Sequence, residues 1–94
     1  MAADISDGVE RFTLAAFQEA VRIVEEGVAT VADVDIALRA GAGFKEGIFA
    51  WADRQGLAQL KDRLEQLAPK HGEWFTPLPL LSQRVASGRG FTDV

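Results

Sequence analysis

Cysteine is absent from the 94 residues, which at once excludes a disulfide framework, a thiolate metal site and a cysteine nucleophile. Histidine occurs only once, at His71, and no serine or cysteine motif supplies a nucleophile for it to activate. Basic residues are fewer than acidic ones, 10 against 14, and the formal charge of −4 argues against a protein built to grip a phosphate backbone. Nucleic acid is therefore not an expected partner. No stretch approaches the ~20 consecutive apolar residues of a membrane span, and the opening MAADISDGVE is acidic where a secretory signal is basic. The expected location is the cytoplasm, with no membrane partner. Repeats and low-complexity segments are also missing. A chain of this length reads as one domain over residues 1–94 that buries roughly 60–68% of its unfolded surface, so stability has to come from packing.

What is present is helical throughout, with no convincing strand. The first helix is expected from about Asp7 to Glu26, capped by Ser6 or Asp7 and ended by Gly27. At 100° per residue, Val9, Phe12, Leu14, Ala16, Phe17, Ala20, Val21, Ile23 and Val24 fill an arc of roughly 200°, leaving Arg11, Gln18, Glu19, Arg22, Glu25 and Glu26 for the rest. Such an arc is too wide for one neighbour. Either this is a central helix of its own fold, or part of the arc meets another subunit or domain.

Thr30 opens a second helix, with Asp33 placed three residues on for a reciprocal capping box. Its inward stripe is Val31, Val34, Ala37 and Leu38, and Gly41 stops it. Asp33 and Asp35 lie close in sequence but point about 200° apart on a helix, so they do not converge on a metal ion; first-turn acids are accounted for by capping and the helix dipole. The segment Gly41-Ala42-Gly43-Phe44-Lys45-Glu46-Gly47 has the wrong spacing and context for a dinucleotide fingerprint, which needs a preceding strand. It reads as a turn using glycine for positive φ and close helix approach. Contact of Lys45 with phosphate or CoA is the weaker alternative.

Ile48, Phe49, Trp51 and Ala52 begin a third helix ending at Gly56, in which one of the two large aromatics anchors the core and the other faces a crevice. Asp53 is expected to accept backbone N–H bonds from the turn that follows. Leu57, Leu60, Leu64 and Leu67 make the narrow inner seam of a fourth helix, which Pro69 interrupts. His71 sits where it complements the last carbonyls of that helix. The apolar run Trp74, Phe75, Pro77, Leu78, Pro79, Leu80 and Leu81 leads into a last helix over about Pro79 to Ala86. Beyond Gly88 and Gly90, Phe91 either tucks in or dangles. The fold class is all-α, a five-helix orthogonal bundle.

The order of these features is distinctive. Gly27-Val28-Ala29, Thr30, Asp33 and Asp35, Gly41-x-Gly43-Phe44, Gly47, Ala52-Asp53 and Gly56-Leu57 resemble the C-terminal helical domain of 3-hydroxyacyl-CoA dehydrogenases, the 6-phosphogluconate/3-hydroxyacyl-CoA dehydrogenase type. The match continues through Leu60, Leu64, Lys70 to Phe75 and Pro79-Leu80-Leu81, so it covers nearly the whole chain. It is closer to the second copy of the domain in multifunctional fatty-acid oxidation proteins. Glu10-Arg11-Phe12 stands where the first copy usually carries Asn-Arg beside the active site, and the tail Gly88-Arg89-Gly90-Phe91 lacks the longer Lys-containing run that normally precedes it. Lys45-Glu46 departs from the Pro-based sequence of many relatives.

The resemblance implies an accessory half of an enzyme. In such dehydrogenases the NAD site and the catalytic His/Glu pair lie in a separate Rossmann domain, which no stretch here matches. Accordingly, no catalytic, cofactor-binding or metal-ligating residue is assigned to this chain. The implied partners are an NAD-binding domain on the same or another chain, a second copy through the first helix, and acyl-CoA; NAD is implied for the complete enzyme only. The other functional class is a free-standing helical dimerisation or interaction module.

Overall fold

The computed structural model describes the backbone of residues 2–41, 43 and 45–92, and side chains from residue 8 onward. Phe44 and the side chains of Ser6 and Asp7 lie outside the described residues. Five α-helices follow one another: α1 (Ala2–Glu25), α2 (Val31–Gly41), α3 (Ile48–Gln55), α4 (Leu57–His71) and α5 (Pro79–Ser87), with a short 3₁₀ turn at Glu73–Phe75 before α5. The described residues form no strand, and the all-α five-helix expectation holds.

Local sequence sets most of the boundaries. Gly27 adopts φ 74°, and the bonds Gly27 N–H to Val24 O and Val28 N–H to Ile23 O close α1 in a Schellman motif. Gly88, at φ 72°, closes α5 in the same way. Thr30 Oγ1 accepts from the Asp33 N–H at 3.1 Å and starts α2 as expected. Two boundaries differ from expectation. The first helix already runs from Ala2, past the expected caps at Ser6 and Asp7. No proline interrupts those residues, and Ser or Asp costs a helix interior less than about 0.7 kcal/mol each. Nor does Pro69 end α4, which continues to His71. Proline there forfeits a single bond to the carbonyl of Glu65, on an exposed face where water replaces it.

The core is continuous across four helices and the tail. Leu14, Phe17 and Val21 of α1 meet Phe49 and Ala52 of α3, the seam Leu57, Leu60, Leu64 and Leu67 of α4, Phe75, Leu81 of α5, and Phe91. Phe91 is tucked in, 4% exposed, with its ring 4.8 Å from that of Phe49 and 6.0 Å from that of Phe17. By contrast, α2 has no buried residue: Val31, Val34 and Leu38 are half-covered and Ala37 is exposed. The expected inward stripe of α2 therefore borders a groove and does not enter the core.

Polar side chains tie separate elements together. Gln18, expected on the solvent side of α1, is fully buried, and its Nε2 donates to the Trp74 and Thr76 carbonyls at 3.0 and 2.6 Å. Glu25 accepts from the Leu80 N–H at 2.9 Å and caps α5 from across the molecule. Asp35 does the same for α3, taking the Phe49 and Ala50 N–H groups at 2.9 and 3.0 Å. The expected account of Asp35, a first-turn acid serving its own helix, is thus corrected. Gly47 cannot cap α3 because it has no side chain, so the orphan donors take an acceptor from α2.

The approach is close enough that a Cβ on Gly47 would fall 2.0 Å from Asp35 Cγ. With φ at −72°, glycine is needed at position 47 for space and not for backbone conformation. Replacing Asp35 by Ala should cost about 1–2 kcal/mol in urea unfolding, the value of a lost cap. Gly47→Ala should cost about 1–3 kcal/mol through overpacking alone; an unchanged midpoint for either variant would contradict this arrangement.

Candidate functional site

Two hollows lie side by side along α1, and Trp51 stands between them. The apolar one, about 500 Å³, is walled by Phe12, Ala16, Ala20 and Ile23 of α1, Val34 and Leu38 of α2, and Ile48 and Trp51 of α3, with Glu19, Lys45 and Glu46 at its margin. The other, about 620 Å³, is more polar: Thr13, Gln55, Gln59, Glu10 and Arg63 join Val9, Leu14, Leu60 and Trp51. Of the two aromatics in α3, Phe49 anchors the core at 0% exposure and Trp51 faces both hollows, as the helical spacing implied.

The 200° apolar arc of α1 explains this geometry. One side of it, Leu14, Phe17, Ala20 and Val21, is buried inside the bundle, while Val9 and Phe12 remain 60% and 75% exposed. Four residues separate Phe12 from Ala16 and Ala16 from Ala20, so they line one flank of the helix. Because α2 packs chiefly on α3, its half-covered Val34 and Leu38 become the opposite bank of the apolar groove. The surface so formed suits an apolar group or another protein face.

Charge at the rims is mostly neutralised locally. Glu46 pairs with Arg54, whose guanidinium is held above its ordinary pKa by that hydrogen bond first and by the charge of Glu46 second. Glu10 pairs with Arg63 at 2.6 Å beside the polar hollow. The Thr13 hydroxyl, which borders both hollows, donates to the Val9 carbonyl at 2.8 Å. Among the described residues no cluster of three or more His, Cys, Asp or Glu could hold a metal ion, and the carboxylate of Asp35 is already engaged by α3.

The glycine turn behaves as expected: Gly43 takes φ 74° and Gly47 permits the close approach of Asp35. This arrangement does not fit a dinucleotide. A pyrophosphate needs the free N–H groups of a helix start, and at α3 a carboxylate already occupies them and would repel a phosphate. Lys45 is exposed at the margin of the apolar groove.

Two other candidate residues have different partners from those expected. Asp53 grips the C-terminal segment, not the next turn: Phe91 and Thr92 N–H groups donate to it at 2.8 Å each, and the Thr92 hydroxyl donates as well. Sequence distance hid this contact, since a carboxylate does not advertise a partner 38 residues away. His71 bridges α1 and α4, with Arg11 Nη1 3.3 Å from both its ring nitrogens and Phe75 edge-on at 6.2 Å. It stands in the last turn of α4, where it complements the helix dipole as expected, and the Gly72 N–H donates to Ala68 O at 2.9 Å.

No helix among the described residues is long and apolar enough to cross a membrane. Residues 8–91 match the model of the 3-hydroxyacyl-CoA dehydrogenase C-terminal domain. A glyoxysomal fatty acid beta-oxidation multifunctional protein of Cucumis sativus is 36% identical over 87% of this chain, which covers 12% of that relative. A probable 3-hydroxyacyl-CoA dehydrogenase of Caenorhabditis elegans is 36% identical over 86% of this chain, covering 27% of that protein. Among solved structures, Mycobacterium tuberculosis FadB2 superposes with a TM-score of 0.84 at 32% identity, over 89% of this chain and 32% of its own. The (S)-3-hydroxybutyryl-CoA dehydrogenase PaaH1 of Ralstonia eutropha gives a TM-score of 0.80 at 26% identity, over 86% of this chain and 31% of its own. The chain thus spans at most about a third of these proteins. Its fold, its sequence match over nearly its whole length and these relatives agree: the chain belongs to the family of 3-hydroxyacyl-CoA dehydrogenase C-terminal domains.

Proposed function

We propose that this chain is the non-catalytic helical part of an NAD-dependent dehydrogenase of fatty-acid beta-oxidation, which oxidises an (S)-3-hydroxyacyl-CoA to the 3-oxoacyl-CoA. On this reading the hydride passes to NAD on a separate NAD-binding domain, of the same or another polypeptide. The helical part covers the acyl-CoA cleft and supports the packing of subunits. The observation behind the proposal is the uncovered side of α1, where Phe12 is 75% exposed above an apolar groove in a chain matched from residue 8 to 91 by the family. A side chain of that size left in water costs the stability its burial would supply, roughly 1.5–3 kcal/mol. An exposed aromatic side chain bordering an apolar groove supports the reading of this side of α1 as an interaction surface.

No residue of this chain is proposed as catalytic, cofactor-binding or metal-binding. The cytoplasm remains the proposed compartment. A second reading rests on the same exposed Val9 and Phe12: a helical module that pairs with its own copy through α1 and has no enzymatic role.

The 94-residue chain, mixed with NAD and an (S)-3-hydroxyacyl-CoA, should give no rise in NADH absorbance; turnover by the pure chain would contradict the assignment. In extracts of the source cell, an antibody to this chain should detect a polypeptide well above 10.2 kDa or a stable complex containing an NAD-binding subunit. A lone species of that mass would favour the free-standing module. Phe12→Asp should abolish any self-association seen by light scattering and change folding stability by no more than about 0.5 kcal/mol, as expected at an exposed site. A parent chain that stays monomeric at high concentration removes pairing through α1.

A further inference from the structure

We infer that the C-terminal segment Gly90–Thr92 is a latch that sets the position of Trp51, and through it the wall shared by the two hollows. The coupling has two routes, one through rings and one through a carboxylate. Along the first, Phe91 lies buried against Phe17 and Phe49, and the same Phe17 ring meets Trp51 edge-on at 6.4 Å. Phe17 therefore has the tail on one side and the groove wall on another. A core at crystal-like density does not absorb the loss of a whole ring without movement of the rings around it.

The second route runs along α3. Asp53, two residues after Trp51, holds the Phe91 and Thr92 N–H groups at 2.8 Å. Gly90 passes so close that a Cβ there would sit 2.7 Å from the Asp53 carboxylate. Arg84 completes the grip from α5, with its guanidinium 5.5 Å above the Phe91 ring and its Nη1 donating to the Gly90 carbonyl at 3.4 Å. The helix that holds Trp51 is thus fastened at its far end by the tail itself.

The experiment uses the full 94-residue chain with Trp74→Phe, which leaves Trp51 as the single emitting indole. Phe91→Ala and Asp53→Asn are each expected to shift Trp51 emission to the red and raise its quenching by acrylamide. Phe91→Leu, which keeps an apolar plug, should fall between Phe91→Ala and the parent. Leu67→Ala serves as control, because it opens a cavity in the α4 seam at a residue that lines neither hollow and takes no part in the ring-to-ring contacts. It should lower stability while leaving Trp51 emission and quenching at parent values. The proposal is overturned if folded Phe91→Ala, checked by far-ultraviolet circular dichroism, keeps the parent signals, or if Leu67→Ala moves them equally. Should Phe91→Ala fail to fold, Asp53→Asn decides: unchanged Trp51 emission in that variant overturns the latch.

Discussion

A helix of eight residues is too short to persist in water by itself, and α3 is such a helix. It also holds both the central core residue Phe49 and the groove residue Trp51, so its placement governs the interior and the functional surface together. The molecule meets this constraint by fastening α3 at both ends with carboxylates. Asp35 receives the N–H groups at its start, and Asp53 in its last turn receives the N–H groups of the tail. Charge-assisted bonds of this kind are about twice as strong as neutral ones. Glu25 repeats the device at the start of α5, so the entries of α3 and α5 both rely on acids borrowed from elsewhere in the chain.

That reliance explains what the sequence reveals and what it hides. Positive-φ glycines, the Thr30 cap, the Leu57 to Leu67 seam and the division of labour between Phe49 and Trp51 depend on neighbours within a few residues. All of these are readable from spacing. Asp35, Asp53 and Gln18 are harder, because their partners lie 14, 38 and 56 or more residues away and nothing local marks them. A single clue to Asp35 existed: α3 begins after a glycine without any capping side chain, which leaves its first N–H groups in search of an acceptor. The groove itself was half legible. Its α1 bank follows from the width of the apolar arc, but its α2 bank needs the knowledge that α2 stands outside the core.

The two flanks of α1 have separate duties as a result. Phe17 and Val21 are fully buried, and the bundle depends on them. Phe12 and Val9 contribute little to the isolated fold, since burial energy scales with area removed from water and most of theirs remains in contact with it. Sequence patterning alone treats both sets as one apolar face. Only the packing shows that the arc is divided, and the division separates residues that hold the domain together from residues available to something outside it.

The same economy bears on where chemistry takes place in the complete protein. A helix N-terminus beside a glycine turn is the element a protein uses to bind a pyrophosphate, and here that element has been spent on Asp35. Freeing it would deprive α3 of the carboxylate at its start, so the turn cannot serve both stability and a phosphate. A chain this small has few helix starts to spare. On the proposed reading, nucleotide binding then falls to a partner domain, and the helical part supplies what its surface offers: an apolar groove, a polar hollow beside it, and one indole wall between them.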